Sequence, residues 1–286
     1  MSRATIAAPK GQTAQAGRQD APGEAKKERL STVYGRYFDC VPVETAEQRT
    51  EAFRLRYQVY CKEHNFEDES DNPDGYEQDQ LDDHALHTLL LHRPSETYVG
   101  TVRLILPDAE EHGLEFPIRT VCDPSLLREN NENLPQNYTA EISRFAVSKN
   151  FRRRDGDEQT TVGGYNDDED PRRLIPHISL GLMQAIVEMA RRGGVTHLCA
   201  MMEPALLRML SRLGIHFNNL GPRVEYHGTR QPCYSDLDLL LTRTWIERRE
   251  VWEILTRDGE IWPLNTKLAD TLSEEATAKN AMVAAE

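Results

Sequence analysis

Two charged residues lie three positions apart in a segment that otherwise has the composition of a β-strand. The segment Thr139–Val147, TAEISRFAV, is apolar or small except for Glu141 and Arg144. A carboxylate placed in this way can act as a general base, which typically contributes about 10²–10⁴ in rate. Residues three apart in a regular strand face opposite sides, so the two charges diverge unless a bulge intervenes. An edge strand with two exposed charges is the alternative.

A second group is the acidic segment 66–83, FEDESDNPDGYEQDQLDD, with nine carboxylates and no Lys or Arg, followed directly by His84 and His87. A solvated acidic loop is the simplest interpretation of such a run. The segment lacks the ligand spacing of an EF-hand, and two histidines alone do not specify zinc. We therefore predict no metal site, and an acidic metal-binding protein is kept as a rival that predicts calcium-dependent melting.

Arginines form the third group. Arg152, Arg153 and Arg154 follow the strand-like segment, and clustered arginines are suited to binding phosphate. A loop with charges of both signs is the alternative. Arg56 lies within a predicted helix that opens at a Thr45 capping pattern and runs to about residue 63. Its side chain projects from the edge of the apolar stripe of that helix, so it requires a carboxylate partner.

The remaining elements define the fold class. Hydrophobic patterns predict further strands at 86–91, 98–106, 195–202 and 234–241, and further helices at 176–192, 204–214 and 244–256. Helices and strands do not alternate regularly, which argues against a doubly wound fold. The sequence therefore predicts an α+β fold with a mixed central sheet and flanking helices.

Composition narrows the class of protein. The 286 residues carry a net charge of −13, which argues against a general nucleic-acid binder. No apolar run is long enough to span a bilayer, and the start of the chain lacks an apolar signal segment, so a cytoplasmic protein is expected. Five scattered cysteines without a CxxC pair indicate reduced, structural thiols. We predict a flexible tail at 1–31, one domain at 32–268 and a C-terminal tail at 269–286.

Four motifs, YQVYCKEHNFE, NPDGYEQDQLDDHALH, VGTVRL and AEISRFAV, occur in this order along the chain. The residues and the spacing of these motifs resemble those of the acyl-homoserine-lactone synthases and the related N-acyl amino acid synthases. The sequence at 71–87 is more similar still to that of the acyltransferases that accompany exosortase (PEP-CTERM) systems. The resemblance covers about 55–215, and it implies the GNAT acyltransferase fold.

The resemblance also implies roles for individual residues. Glu141 and Arg144 correspond to the catalytic Glu-x-x-Arg of these families, with Glu141 as the base, acting directly or through a water. The acidic segment becomes a lid tied to the body by ion pairs, and Arg56 acquires Asp79 or Asp82 as its partner. The substrate-binding residues implied in this way are Arg56, Tyr60, Phe66, Asp79, Asp82 and Arg103.

The donor follows from the same resemblance and from one departure. The glycine-rich pyrophosphate loop of coenzyme A-dependent GNAT enzymes is absent after Val147, where Arg152 to Arg154 stand instead. This favours an acyl carrier protein over acyl-coenzyme A as donor. The three arginines would then bind the phosphate of its phosphopantetheine arm, and no permanently bound cofactor is expected. The acceptor is expected to be the amine of an amino acid or related small molecule.

In the GNAT fold the strands at 139–147 and 195–202 splay apart, and the pantetheine arm lies in the gap. Backbone amides at Phe145, Ala146 and Val147 are then candidates for the oxyanion site. The residues available for an apolar acyl tunnel, or alternatively for plain core, are Leu198, Met201, Met202, Leu206 and Met209. A non-catalytic GNAT-like module that binds a partner in an exosortase or exopolysaccharide export system is the rival function.

Overall fold

The computed structural model describes residues 29–107, 115–149 and 174–283. Within these ranges the strands are β1 Phe38–Pro42, β2 Ala85–His92, β3 Thr97–Ile105, β4 Thr139–Val147, β5 His197–Met202, β6 Asn218–Asn219, β7 Val224–Glu225 and β8 Thr229–Asp236. The α-helices of the same ranges are α1 Leu30–Tyr37, α2 Ala46–Tyr57, α3 Pro117–Val121, α4 Pro124–Glu129, α5 Leu174–Gly193, α6 Pro204–Arg212, α7 Leu237–Glu247, α8 Arg249–Thr256 and α9 Thr266–Val283.

The strands of the described residues form a mixed sheet in the order β1-β2-β3-β4-β5-β8-β6, with β7 paired to β8. β4 and β5 run parallel, and the other neighbours run antiparallel. Parallel neighbours require a crossover connection, which here includes α5. The α+β class with a mixed sheet and flanking helices is confirmed.

The parallel pair separates halfway along its length. β4 pairs with β5 from Thr139, opposite His197, to Ile142, opposite Ala200. Beyond that point β4 continues along β3 as far as Val147, while β5 continues along β8. As expected for strands that splay, a gap opens between them.

A β-bulge lies in the same part of β4. Thr101 of β3 pairs with Ala146 and Arg103 pairs with Ser143, so three steps on β4 face two on β3. The extra residue of β4 is accommodated at Arg144, whose backbone φ of 49° lies in the left-handed region. The bulge changes the direction of the side chains that follow Glu141, and it is the feature that the spacing of Glu141 and Arg144 required.

The main core lies between the sheet and α5. Ile178, Leu182 and Ile186 of α5 are fully buried in the same cluster as Leu90 and Val102 of the sheet. Gly181 faces this contact, where a methyl group would lie 2.6 Å from a Leu90 methyl carbon, so the absence of a side chain lets the helix approach β2. This packing holds β2, β3 and β4 against one rigid element.

The first predicted helix is confirmed, with one difference. Thr45 caps α2 in a complete capping box with Gln48. The last six residues, Gln58–Glu63, form a π-helix instead of continuing the α-helix. The wider turn carries Tyr60 toward the sheet, and such segments are frequent at functional sites.

The prediction for 234–241 is wrong in its second half. The strand there is β8, which ends at Asp236, and residues from Leu237 onward are helical in α7. Asp236 accepts a hydrogen bond from the Leu239 backbone N–H at 2.7 Å, which is an N-cap. The apolar run that follows is buried on one helix face, and a short apolar run does not distinguish strand from helix.

Predicted boundaries also differ from the observed elements. The helix predicted at 244–256 is divided at Arg248, whose backbone is non-helical, into α7 and α8. The boundaries at 31/32 and 268/269 fall inside α1 and α9, so neither coincides with the end of a helix. No helix in the described ranges is long and apolar enough to cross a membrane.

Candidate active site

A cavity of about 330 Å³ lies where β4 and β5 separate. Its apolar wall contains Met201, Met202, Leu206 and Met209, together with Phe145 and Val147. The polar side chains that line it include Glu67, Glu141, Arg144, Tyr226, His227 and Arg230. Four of the five predicted tunnel residues therefore line the cavity, whereas Leu198 is fully buried in the main core and does not.

Glu141 lies on the cavity wall with only 1% of its surface exposed. Its Oε2 accepts a hydrogen bond from the Ile118 backbone N–H at 3.1 Å, which fixes the carboxyl group from α3. Burial raises the pKa of Glu141 to about 8, although this hydrogen bond and the nearby charge of Arg103 oppose the rise. A buried carboxyl group with a pKa near neutrality is suited to exchanging a proton with a substrate.

Arg144 is paired with carboxylates. Its Nε and Nη2 donate to Glu77 at 3.0 and 2.8 Å, and Nη2 also donates to Asp79 at 3.2 Å. The guanidinium lies over the Tyr60 ring, with 5.5 Å to the centroid. These contacts tie the acidic segment to β4 while Arg144 lines the cavity, and its catalytic role stays a prediction.

Arg56 is fully buried, and its partners are Asp82 and Glu77. Nη1 donates to Asp82 at 2.6 Å, and Nε donates to Glu77 at 2.5 Å. Of the two predicted alternatives the structure selects Asp82. Asp79 instead accepts from Arg103 Nη1 at 2.6 Å, and the same nitrogen donates to Asp82 at 2.7 Å. The strand arginine Arg103 thus joins both predicted acids.

Glu77 is the member of this network that sequence reasoning missed. It contacts both Arg56 and Arg144 and is itself buried. Burial would raise the pKa of Glu77, but the two guanidinium charges outweigh it and lower the pKa to about 2. The number of predicted charges could have indicated a further acid, because three inward-facing arginines need more than the two acids that were predicted for them.

The acidic segment therefore has two parts. Asp68, Asp71 and Asp74 are exposed, as a solvated loop predicts, whereas Glu77 and Asp82 are buried against arginines. Among the residues that the structure describes, no group of three His, Cys, Asp or Glu side chains could hold a metal ion. The second part, residues 77–82, has the ion pairs to the body that the resemblance implied, and we refer to it as the lid segment.

Aromatic residues and a hairpin form the wall opposite β4. The ring centroids of Tyr60 and Phe66 lie 6.3 Å apart, and the Arg230 guanidinium lies over Phe66 at 5.3 Å. His227 Nδ1 lies 2.8 Å from the Phe66 carbonyl; since a carbonyl only accepts, Nδ1 carries the proton. Tyr226 completes this wall. Sequence reasoning missed these three hairpin residues, because no motif marks them.

The backbone of β4 offers a donor to the cavity. Ser148 N–H donates to the Val99 carbonyl at 3.1 Å, and Ala146 pairs with Thr101. By the alternation of an antiparallel ladder, the N–H of Val147 points away from β3 into the gap. Phe145 and Val147 line the cavity, and Ala146 does not. Arg152, Arg153 and Arg154 lie outside the described residues.

One family model matches a segment of this chain. Residues 55–161 match the family model described as "Acetyltransferase (GNAT) domain". This segment contains the lid, β2, β3 and β4 with Glu141 and its bulge. This segment thus carries a GNAT domain, and the predicted fold is confirmed. A search of curated proteins finds no match to this chain.

Solved structures with a similar arrangement include TofI in a ternary complex with an inhibitor and MTA, with 20% identity, 75% of this chain and 99% of that chain covered, and a TM-score of 0.48. FeeM, an N-acyl amino acid synthase from uncultured soil microbes, shows 16% identity, 74% and 96% coverage and a TM-score of 0.49. BjaI, a CoA-dependent acyl-homoserine lactone synthase with SAM and isopentyl-CoA, shows 20% identity, 77% and 88% coverage and a TM-score of 0.48. At these values the donor and the acceptor have to be argued from the residues of this chain.

Proposed function

We propose that this protein transfers a fatty acyl group from the thioester of an acyl carrier protein to the amine of an amino acid or related small molecule. The observation that carries the proposal is Glu141, a buried carboxyl group with a pKa of about 8 on the wall of the cavity between β4 and β5. An amine nucleophile is protonated in most molecules at neutral pH, so its attack needs such a group.

The reaction that fits this site is a direct transfer. The amine nitrogen attacks the thioester carbonyl, and ionised Glu141 accepts the proton that the nitrogen loses. In this proposal the N–H of Val147, a residue of the cavity wall, donates to the carbonyl oxygen as negative charge develops on it. The C–N bond is complete when the C–S bond breaks, and the proton held by Glu141 returns to the departing thiolate. The acyl chain occupies the methionine-lined part of the cavity.

The carrier-protein donor is supported by sequence. No glycine-rich loop follows β4, and three consecutive arginines stand in its place. A guanidinium cluster binds a phosphate group through charge-assisted hydrogen bonds, and the phosphopantetheine arm carries one. The association with PEP-CTERM and exosortase systems rests on the resemblance of the motifs alone, and it forms part of the proposal on that basis.

Mass spectrometry of lipid extracts tests the function directly. We expect a host that overexpresses the protein to accumulate an N-acylated product whose mass identifies acyl group and acceptor together. A host that overexpresses Glu141→Gln is the matched control and should lack this product. Equal lipid profiles in the two hosts, with both proteins folded, would favour the rival non-catalytic binding module, which has no need of Glu141.

A further inference from the structure

Arg230 is a cation of the cavity wall whose hydrogen-bonding capacity is not used by the lid. It is the second residue of β8, its side chain is 12% exposed, and it lines the same cavity as Glu141. One face of the guanidinium rests on Phe66 at 5.3 Å. Stacking of this kind leaves the edge of the guanidinium, with its N–H groups, free for a planar anion.

The carboxylate nearest to Arg230 holds it loosely. Glu203 Oε1 lies 3.3 Å from Arg230 Nη1, and the Glu203 side chain is 50% exposed. An ion pair with one exposed partner contributes little, so a ligand carboxylate can replace it at small cost. Arg144, by contrast, is already held by Glu77 and Asp79.

We propose that Arg230 binds the carboxylate of an amino-acid acceptor and thereby directs the acceptor amine toward Glu141. The inference rests on the proposed N-acyl transfer and adds that the acceptor is an α-amino acid with a free carboxyl group. A bidentate pair between a guanidinium and a carboxylate fixes orientation as well as position. The same cation would also bind a phosphate of the donor, and the experiment separates the two sources.

The position of Arg230 favours the acceptor. Its guanidinium lies over Phe66, whose ring neighbours that of Tyr60, in the wall that these aromatic residues and the hairpin form. The predicted phosphate ligands of the donor follow the end of β4. The proposal therefore assigns the acceptor carboxylate, and not the donor phosphate, to Arg230.

The test compares two probes on four proteins. One probe is a mixture of the standard L-amino acids, and the other is the mixture of their carboxamides, which retain the amine and lose the negative charge. Binding without donor is followed by ligand-observed NMR, and acylation with acyl carrier protein loaded with medium and long chains is followed by mass spectrometry. The proteins are wild type, Arg230→Gln, Glu203→Gln and, as control, Arg192→Gln, which removes an exposed pair with Glu44 outside the cavity.

We expect wild type to bind and acylate an amino acid in preference to its amide. In Arg230→Gln this preference should fall about 10- to 100-fold, because the acceptor KM for the acid rises. Glu203→Gln should strengthen binding of the acid, because a competing carboxylate is removed. Arg192→Gln should behave as wild type. Melting temperatures check that each variant folds.

Other outcomes separate the two proposals. If amides are acylated as well as acids by wild type, N-acyl transfer stands and the role of Arg230 is wrong. If Arg230→Gln raises the KM of the carrier protein and leaves the acid preference unchanged, Arg230 binds the donor phosphate and this inference is overturned. If neither probe binds or is acylated, both proposals fail.

Discussion

Glu141 combines two properties that a proton acceptor for an amine requires, a fixed position and a pKa near that of its substrate. The Ile118 N–H fixes one carboxyl oxygen, and burial raises the pKa to about 8. At pH 7 about a tenth of the molecules carry the ionised form. Catalysis by this residue should therefore increase as the pH rises above neutrality.

Replacing Glu141 by Gln should lower acyl transfer by about 100-fold or more, because the amide retains the shape and loses the basicity. Glutamine also retains an oxygen for the Ile118 N–H, so the fold should be preserved. Steady-state kinetics with a saturating donor, together with circular dichroism, measure both effects. Full turnover by the variant at pH 7 would show that another group accepts the proton.

The pH profile distinguishes this role from a structural one. Below pH 8 both the amine and Glu141 must lose a proton, so the logarithm of kcat/KM should rise with a slope near two in wild type. In Glu141→Gln only the amine titrates, and the slope should fall to about one. A parallel displacement of the two profiles with unchanged slope would contradict the assignment.

At the residue scale, sequence reasoning identified residues within motifs and missed those that only the fold brings together. Glu141 and Arg144 share one strand, so a spacing argument and a possible bulge described them well. Glu77 was concealed among nine acids of one segment. His227 and Arg230 reach the cavity from a hairpin far along the chain, and no local pattern marks such residues.

At the scale of elements, one helix and two strands hold the lid in place. Arg56 of α2, Arg103 of β3 and Arg144 of β4 converge on three carboxylates of one segment, so three elements fix the same loop. Breaking a buried ion pair costs about 3–5 kcal/mol, because the remaining charge is left without its partner. The lid should consequently detach as a unit.

A double-mutant cycle tests which residues are in direct contact. Arg56→Met and Asp82→Asn should each destabilise the protein and should be strongly non-additive together, because their side chains meet at 2.6 Å. The matched cycle combines Arg56→Met with Asp79→Asn. Asp79 contacts Arg103 and Arg144 instead of Arg56, so the coupling energy of this cycle should be smaller. Urea unfolding of the single and double variants gives both couplings. Equal couplings would mean that the network behaves as one diffuse charge cluster.

The same network predicts the direction of acid sensitivity. The pKa of Glu77 is lowered from 4.5 to about 2, so the folded state binds fewer protons than the unfolded state in that range. This stability is complete above pH 4.5 and is lost as the pH falls toward 2. Glu141 acts oppositely, since its raised pKa provides stability at low pH that is lost between 4.5 and about 8.

Thermal melting across the pH range checks both directions. The melting temperature should decrease steeply from pH 4.5 to pH 2 in wild type and in Glu141→Gln alike. Between pH 4.5 and 8 the decline should be weaker in Glu141→Gln than in wild type, because the buried titrating group is gone. An acid transition that begins well above pH 4.5 would point to another group.

Element-scale predictions succeeded where periodicity was long. α5 shows apolar residues at helical spacing over five turns, and β2 to β5 all lie within predicted strands or overlap them. The run after Tyr234 failed because Asp236 begins a helix whose short apolar start also fits a strand. The π-helix after α2 was not predicted, because no local pattern in Gln58–Glu63 distinguishes it from a continued α-helix.

At the scale of the whole molecule, charge opposes the proposed donor. The chain carries −13 overall while residues 1–31 carry +3, so the remainder carries about −16. Carrier proteins are generally acidic, and two acidic proteins repel each other at a distance. A local cluster of positive charge is therefore needed where the donor docks, and the sequence provides one directly after β4.

Replacing Arg152, Arg153 and Arg154 together by Ser should raise the KM for an acyl carrier protein substrate and remove most of its dependence on salt. The kcat should change little, because contacts with the phosphate and the carrier surface are equally strong in the ground state and in the transition state. Initial rates at several ionic strengths, with acyl carrier protein and acyl-coenzyme A as parallel donors, measure these effects. Wild type should use acyl-coenzyme A poorly, since it lacks the glycine-rich loop that would bind the pyrophosphate. Efficient turnover of acyl-coenzyme A, with carrier-protein kinetics that respond neither to salt nor to the triple substitution, would overturn the donor assignment and leave the acyltransferase domain in place.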